Sequence, residues 1–238
     1  MRKPQSPQLS IVIPVYNEQG SISTLLKEYK KSGMNYNFEL ICVNNGSTDN
    51  TEKILRDNKK KYTFIKIVTI RKNIGYGHGI MTGVKSTSGD IVAWTHADMQ
   101  THPSDVFRSY TSYKKQNNKN TIVKGSRIDR PFSDTFISAC MGAIAAIALR
   151  MPINEINAQP KLFPRTFIRH LSNPPNDFML DLYFLYKANR MKYTIRTIKV
   201  NFPKRAHGKS KWAYSLPSRL RMIKRTLQYI SYLASKPQ

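Results

Sequence analysis

The sequence predicts one α/β domain built on a mainly parallel β-sheet that is flanked by helices. In the first half of the chain, short β-branched runs alternate with polar turns and amphipathic segments, which is the pattern of successive strand–helix units. The runs are apolar throughout, as expected for parallel strands that helices cover on both faces. With 238 residues, 40% of them hydrophobic, the chain is long enough to bury a substantial core.

The first half of the chain contains the clearest elements. Each predicted strand is a β-branched run bounded by turn residues, and each predicted helix carries apolar residues at helical spacing. The strands are Leu9–Val15, Phe38–Asn44, Ile65–Ile70, Ile91–Thr95 and Thr121–Lys124. The helices are Ser21–Ser32, Thr48–Lys60, Gly77–Ser86 and Ser104–Gln116.

The second half is less regular. A helix is predicted over Asp134–Arg150, ended by Pro152 because proline has no amide hydrogen and clashes with the preceding turn. A second helix over Phe178–Asn189 and a strand over Tyr193–Val200 follow. The last predicted helix, Pro217–Ala234, has a basic face and an apolar face. We expect residues 1–215 to form one domain and residues 216–238 to form this helix, either docked on the core or lying on a membrane surface.

The charge balance points to an anionic partner. Lys and Arg number 39 against 14 Asp and Glu, a formal net charge of +25. Nucleic acid, a phospholipid surface and phosphorylated small molecules are all anionic. The sequence has no helix-turn-helix, zinc-finger or aromatic RNA-binding pattern, so we expect no nucleic acid. We also expect no signal peptide and no transmembrane segment, because no run reaches the ~18–20 apolar residues that span a bilayer.

Polar loops follow three of the predicted strands. They are Pro14–Glu18, Asn44–Asp49 and His96–Gln100. In open α/β sheets, ligands bind beyond the carboxyl ends of the strands, so these three loops predict one binding site. A fourth loop, Arg71–Gly79, combines glycines that allow close backbone approach with cations that favour a diphosphate.

Five segments of the chain together resemble family 2 glycosyltransferases with the GT-A (Rossmann-like) fold. They most resemble the branch of dolichol-phosphate mannosyltransferases and polyprenyl-phosphate glycosyltransferases. The segments, in order, are "LSIVIPVYNEQGSI", "VNNGSTDNT", "NIGYGHGIMTGVKSTSGDIVAWTHADMQTHP", "KGSR" and "KRAHGKSKW".

The resemblance implies a nucleotide-sugar donor, either a UDP-sugar or a GDP-sugar, and a divalent metal on its diphosphate. By position, the metal ligands are His96, Asp98 and Gln100. Two departures from the family pattern stand out, since the family usually has Asp-Asp at Asn44-Asn45 and Asp at His96. Histidine suits Mn²⁺ better than Mg²⁺, so we expect Mn²⁺. The implied nucleotide-binding residues are Pro14, Tyr16, Glu18, Asn44, Asn45, Gly46, Ser47, Asn73, Gly77 and Ala97.

The resemblance also implies an acceptor that is a polyprenyl or dolichyl phosphate in a membrane. The residues matched to its phosphate are Arg127, Arg205, Ser210 and Lys211, and arginine suits the role because its planar fork binds oxyanions through two nitrogens. A phosphomonoester has a second pKa near ~6, so at neutral pH it is already a nucleophile and needs no base. The catalytic residues expected for this inverting transfer are Asp98, Arg127 and Arg205.

Three alternatives stay open at this stage. The acceptor is instead a saccharide hydroxyl, in which case Asp177 or Asp181, four residues apart on one face of a helix, is the expected base. The chain has lost turnover and only binds nucleotides, or it binds nucleic acid. For the main interpretation we expect a cytoplasmic protein bound peripherally to the inner face of an anionic membrane.

Overall fold

The protein's computed structural model describes residues 6–203 and 216–236. Seven strands in this part of the chain form one sheet with the order β3-β2-β1-β4-β6-β5-β7. The strands are β1 (Leu9–Val15), β2 (Phe38–Asn45), β3 (Ile65–Ile70), β4 (Ile91–Trp94), β5 (Thr121–Ile128), β6 (Lys161–Pro164) and β7 (Thr194–Asn201). The predicted mainly parallel sheet is confirmed, because β1–β2, β1–β4, β2–β3 and β5–β7 all pair in parallel.

Strand β6 was not predicted from the sequence. It runs antiparallel to both of its neighbours, β4 and β5. Its four residues, Lys161–Pro164, include a lysine and a proline, so the segment lacks the apolar run that marks the other strands. A second difference concerns β5, which continues to Ile128 and therefore carries Arg127 on the strand itself.

The helices cover both faces of the sheet. They are α1 (Ile22–Ser32), α2 (Thr51–Lys61), α3 (Tyr76–Lys85), α4 (Pro103–Lys114), α5 (Phe132–Leu149), α6 (Met179–Arg190) and α7 (Leu216–Ala234), with a 3₁₀ helix over Arg165–His170. Alternate residues of β2 divide between two cores. Leu40 and Cys42 face a core shared with α1, α2 and α4, whereas Ile41 and Val43 face one shared with α3, α5, α6 and α7.

Helices α3 and α7 pack on the face of the sheet that contains Ile41 and Val43. A Cβ atom at Gly83 of α3 would lie 2.4 Å from Val12 and 2.7 Å from Val43, so only glycine allows this helix to lie so close to the sheet. Helix α7 buries Ile230 and Leu233 near its carboxyl end and also contacts α5. Across residues 6–203 and 216–236, no helix is long and apolar enough to span a membrane.

Candidate functional site

The loops after β1 and β2 are hydrogen-bonded to each other. The backbone nitrogen of Asn17 donates to Ser47 Oγ over 3.1 Å, and the nitrogen of Thr48 donates to Asn17 Oδ1 over 2.8 Å. The nitrogen of Glu18 donates to Thr51 Oγ1 at the start of α2 over 2.9 Å. The first two predicted nucleotide-binding loops, which also carry Pro14, Tyr16 and Gly46, therefore form one continuous surface at the carboxyl edge of the sheet.

The loop after β3 packs directly against this surface. Gly46 has a φ of +74°, and a Cβ atom there would lie only 2.6 Å from the backbone nitrogen of Asn73. Asn45 Nδ2 donates to the carbonyl oxygen of Gly75 over 3.1 Å. The predicted residue Asn73 thus lies at the same edge as the loops after β1 and β2. A Cβ atom at Gly77 would lie 2.2 Å from the carbonyl oxygen of Pro175, so this predicted residue packs against the loop before α6.

Asn44 and Asn45 stand where the family usually has aspartates, and both side chains are buried. Asn44 Nδ2 donates to Glu52 Oε2 over 3.2 Å, and its Oδ1 accepts from the nitrogen of Ser47. An ionised aspartate has no hydrogen to donate. With aspartates at these positions, neither the hydrogen bond from Asn44 Nδ2 to Glu52 nor the one from Asn45 Nδ2 to Gly75 could form. The two asparagines are therefore matched to acceptors that this chain itself provides, namely Glu52 and the carbonyl of Gly75.

The loop after β4 carries the predicted metal ligands. Asp98 is only 7% exposed, and its Oδ1 accepts from the nitrogen of Gln100 across a turn in which Met99 has a φ of +61°. Gln100 Nε2 donates to the carbonyl oxygen of Pro203 over 3.1 Å, so the amide oxygen is the atom suited to a cation. His96 is half-buried, and Ala97 between the two ligands is buried.

This donor set fits a divalent cation. It would offer an imidazole nitrogen from His96, a carboxylate from Asp98 and an amide oxygen from Gln100. Within the described ranges, no three His, Cys, Asp or Glu side chains form a group that could hold a metal ion. A cation here would consequently also need oxygen atoms from a bound diphosphate.

Tyr76, which no sequence pattern singled out, links this loop to the second half of the chain. Its ring lies 5.5 Å from that of His96 and stacks on Phe178 at 4.5 Å. Gln159 Nε2 donates to the tyrosine hydroxyl over 3.0 Å. Burial, and then the charges of Asp181 and Asp98, hold the pKa of Tyr76 well above its ordinary value, so the hydroxyl keeps its proton.

A buried cluster of charges lies beside Tyr76 and includes the predicted residue Arg127. Glu155 connects two arginines, accepting from Arg127 Nε over 2.6 Å and from Arg130 Nη1 over 3.2 Å. The cluster contains four basic and two acidic side chains, and the basic ones still outnumber the acidic ones when Lys124, whose pKa is lowered to about 7, has released its proton. Its members are Lys124, Arg127, Arg130, Lys161, Glu155 and Asp181.

Asp177 and Asp181 do not share a helix face, which corrects the sequence-based expectation. Helix α6 begins at Met179, so Asp177 precedes it, accepting from the nitrogen of Met179 and pairing with Arg225 of α7 at 2.6 Å. Asp181 is fully buried and pairs with Lys161 Nζ at 2.8 Å. The remaining predicted acceptor residues, Arg205, Ser210 and Lys211, lie outside the described residues.

Polar loops at the carboxyl edge of a mostly parallel sheet, with a cation-compatible loop beside them, are typical of nucleotide-binding α/β proteins. The sequence model of Glycosyl transferase family 2 matches residues 10–181, and the chain belongs to this family. The resemblance inferred from the sequence motifs is thereby confirmed.

Two relatives illustrate the match. A dolichyl-phosphate beta-glucosyltransferase of Trichomonas vaginalis is 28% identical over 221 residues, covering 84% of this chain and 67% of the relative. An undecaprenyl-phosphate 4-deoxy-4-formamido-L-arabinose transferase of Pseudomonas savastanoi is 24% identical over 241 residues, covering 96% of this chain and 66% of the relative. The chain thus spans about two thirds of the length of these relatives.

The fold has a solved counterpart. Glucosyl-3-phosphoglycerate synthase from Mycobacterium tuberculosis, crystallised with Mn²⁺, uridine diphosphate and glucosyl-3-phosphoglycerate, matches with a TM-score of 0.74 and 19% identity. The match covers 98% of this chain and 81% of that one. At this identity the likeness establishes the fold, and it confirms the GT-A architecture.

The buried cluster predicts how stability depends on pH. Burial, and then the charge of Lys161, lower the pKa of Lys124 from 10.5 to about 7. Between these two values the unfolded chain holds a proton that the folded protein has released, so this lysine makes stability rise with pH. We expect the free energy of unfolding of the wild type, relative to Lys124→Met, to increase from pH 7 to pH 10 by a few kcal/mol at most, at ~1.4 kcal/mol per pKa unit.

Urea denaturation at a series of pH values measures this difference. The matched control is Lys59→Met, which removes an exposed ammonium from α2 and should reproduce the pH profile of the wild type. Parallel profiles for wild type and Lys124→Met would show that Lys124 does not titrate in this window.

Proposed function

We propose that the protein transfers a sugar from a UDP- or GDP-sugar to the phosphate of a polyprenyl or dolichyl phosphate. The observation that carries the proposal is the surplus of basic over acidic side chains in the cluster around Arg127, which lies beside the predicted donor loops and remains when Lys124 is uncharged. Buried charge of one sign needs compensation, and the phosphate of an acceptor provides it. The names of the two relatives, which designate dolichyl-phosphate and undecaprenyl-phosphate transferases, support this acceptor class.

On the donor side, the joined loops after β1, β2 and β3 receive the nucleotide. Glu18, Asn44 and Ser47 lie at the edge where a base and ribose would bind, and Asn73 and Gly77 border the place for the diphosphate. A divalent cation held by His96, Asp98 and Gln100 would neutralise the diphosphate. The Mn²⁺ in the mycobacterial counterpart supports a cation, and the imidazole favours Mn²⁺ over Mg²⁺ here.

The chemistry needs little from the protein beyond placement and charge. An oxygen of the acceptor phosphate attacks the anomeric carbon, forming a new carbon–oxygen bond while the bond to the nucleoside diphosphate breaks with inversion. Arg127, together with Arg205, holds the attacking phosphate in line, and Asp98 helps to position the donor. Since the phosphate oxygen carries no proton at neutral pH, no general base enters the step.

A saccharide hydroxyl as acceptor is less well supported. It would require a base that can reach the hydroxyl, and the two expected aspartates are already engaged. Asp181 is buried against Lys161, and Asp177 is paired with Arg225. Neither carboxylate can accept a proton from an acceptor hydroxyl without giving up these contacts, so the phosphate acceptor agrees better with the geometry.

The surface formed by α5 and α7 would place this chemistry at a membrane. Helix α5 exposes Phe136, Ile144 and Ile147, the last of them 80% exposed, and α7 exposes Leu220 beside basic residues. Exposed apolar side chains with cations next to them suit the interface of an anionic bilayer. We therefore place the protein peripherally at the cytoplasmic leaflet, with residues 216–238 as part of the contact.

Arginine 127 provides the first test. Removing a charged hydrogen-bond donor costs about 1.5–3 kcal/mol, so Arg127→Ala should weaken binding of the acceptor phosphate by about 10- to 100-fold. Binding of UDP or GDP should change by less than about twofold, since Arg127 lies in the acceptor half of the site. Use of the acceptor is measured as transfer from radiolabelled UDP-glucose or GDP-mannose to undecaprenyl phosphate in detergent. Binding of UDP or GDP is measured by calorimetry.

Arg190→Ala, at the exposed end of α6, is the matched control and should behave as wild type. Arg127→Lys keeps the charge without the planar fork, so partial activity in this folded variant separates charge from geometry. Equal losses of nucleotide binding and acceptor use in Arg127→Ala would contradict the division of the site.

His96 allows a test of the cation preference. In His96→Asp a hard carboxylate replaces the imidazole, so Mg²⁺ should support UDP or GDP binding about tenfold better than in the wild type. Titration calorimetry with each metal in turn measures the change, with His170→Asp as a control for added negative charge elsewhere. Binding that is the same with Mn²⁺, with Mg²⁺ and without metal, in both proteins, would rule out a cation at His96.

The membrane contact can be measured on the chain's own cysteines. Cys140 on α5 is exposed and Cys42 is buried, so a thiol-reactive, environment-sensitive dye should label α5 selectively. Phosphatidylglycerol vesicles should shift the dye emission to the blue, and added salt should reverse the shift. Lys224→Glu should weaken the partitioning about tenfold or more, at ~1 kcal/mol per charge, whereas Lys59→Glu should not. An equal response to phosphatidylcholine vesicles would exclude an electrostatic contact.

A further inference from the structure

Tyr76 stands at the start of α3, between two glycines on which the loop before α6 packs. A Cβ atom at Gly75 would lie 2.2 Å from the carbonyl oxygen of Asn176, and one at Gly77 would lie 2.2 Å from the carbonyl oxygen of Pro175. A side chain at either glycine would push this loop away. The backbone on both sides of Tyr76 is therefore held against the loop.

The ring of Tyr76 contacts both halves of the site. Its centre lies 4.5 Å from that of Phe178, with 8° between the two ring planes. It also lies 5.5 Å from the ring centre of His96, with 37° between the planes. Phe178 directly precedes α6, and His96 belongs to the loop after β4. The residue at the start of α6 thus supports the ring that lies against the proposed cation ligand.

The hydroxyl group of Tyr76 is fixed as well. It accepts from Gln159 Nε2 over 3.0 Å, and the same nitrogen donates to Asp181 Oδ1 over 3.2 Å. Asp181 is fully buried and pairs with Lys161 Nζ at 2.8 Å. Because its backbone, its ring and its hydroxyl are all held by neighbours, Tyr76 is a rigid support for a side chain that lies against it.

We propose that Tyr76 is a positioning residue for His96, whose imidazole it holds in the orientation that a cation on the donor diphosphate requires. This inference rests on the proposed function and adds to it a residue outside the predicted metal loop. An imidazole binds a cation through one nitrogen, so its ring must be oriented before it can act as a ligand. The aspartate that the family usually has at this position offers two oxygens and depends less on such support.

A purely structural role for Tyr76 makes a different prediction. If the ring only packs the start of α3, its removal should weaken cation-dependent nucleotide binding equally whichever residue occupies position 96. If the ring acts through the imidazole, the loss should occur only when His96 is present. A double-mutant cycle measures this dependence directly, because residues that act through a contact have effects that do not add.

The cycle combines Tyr76→Leu with His96→Asp in the full-length protein. Titration calorimetry measures the factor by which saturating Mn²⁺ strengthens binding of UDP or GDP. Tyr76→Leu should reduce this factor about tenfold or more, since loss of a group that orients a metal-bound histidine costs about 10–100-fold in affinity. In the His96→Asp background the same substitution should reduce it by less than about twofold. Loss of the EPR signal of free Mn²⁺ in the presence of UDP measures cation binding independently.

Tyr36→Leu is the matched control. It also removes a half-buried tyrosine ring that stacks on a phenylalanine, in this case Phe107 at 4.7 Å. Tyr36 packs in the core on the other face of the sheet, so its removal should leave the Mn²⁺ factor as in the wild type. Tyr76→Phe keeps the ring against His96 and should retain more of the factor than Tyr76→Leu. Tyr76→Met is a second variant without a ring, and thermal unfolding shows which variants are folded.

The possible outcomes separate this inference from the proposed function. An equal loss in both backgrounds, or no loss in the folded ring-less variants, would overturn the positioning role and leave the cation site intact. Binding of UDP and GDP to the wild type that does not respond to Mn²⁺ would reject the cation site, and the role of Tyr76 with it. Failure of transfer to any prenyl phosphate, with the dependence of Tyr76 on His96 observed, would reject the proposed acceptor alone.

Discussion

The ion pair between Lys161 and Asp181 joins the sheet to the helices that carry the acceptor side. Both side chains are at most 1% exposed, and removing one partner of such a pair leaves a buried charge that costs about 3–5 kcal/mol. Asp181 also accepts from Gln159, which in turn donates to Tyr76, and Tyr76 lies against His96. The position of the proposed cation loop therefore depends on a charge pair deep in the other half of the molecule.

The sequence predicted the donor half of the site well and the acceptor half poorly. Parallel strands bring their carboxyl ends to one edge whatever the details of the loops, so the polar loops after β1, β2 and β4 could be placed from strand order alone. Lys124, Glu155 and Lys161 were missed because their grouping depends on β6, a four-residue antiparallel strand without an apolar pattern. Only the surplus of cations in the sequence hinted that such a cluster exists.

The two departures from the family pattern have different physical meanings. Asn44 and Asn45 donate hydrogen bonds to Glu52 and to Gly75, so the change from carboxylate to amide is compensated within the fold. Relative to the family pattern, the loop after β2 has two fewer negative charges and two more hydrogen-bond donors. The carboxylate of Glu52 on α2 lies within hydrogen-bond distance of Asn44. His96 replaces a hard oxygen with a nitrogen, so under the proposed function it would change which cation the loop prefers.

Helix α7 is anchored unevenly, and this has a consequence for how a long ligand could enter. The end of the helix buries Ile230 and Leu233, whereas Leu220 and Leu227, which precede them in the chain, are exposed. Between these two leucines, Arg225 is held by Asp177. Segments with few buried apolar side chains open at a small fraction of the free energy of global unfolding. Met222 and Ile223 line a pocket together with residues of α5 and α6. Fraying of the segment of α7 that precedes Arg225 would therefore open this pocket while the sheet stays folded.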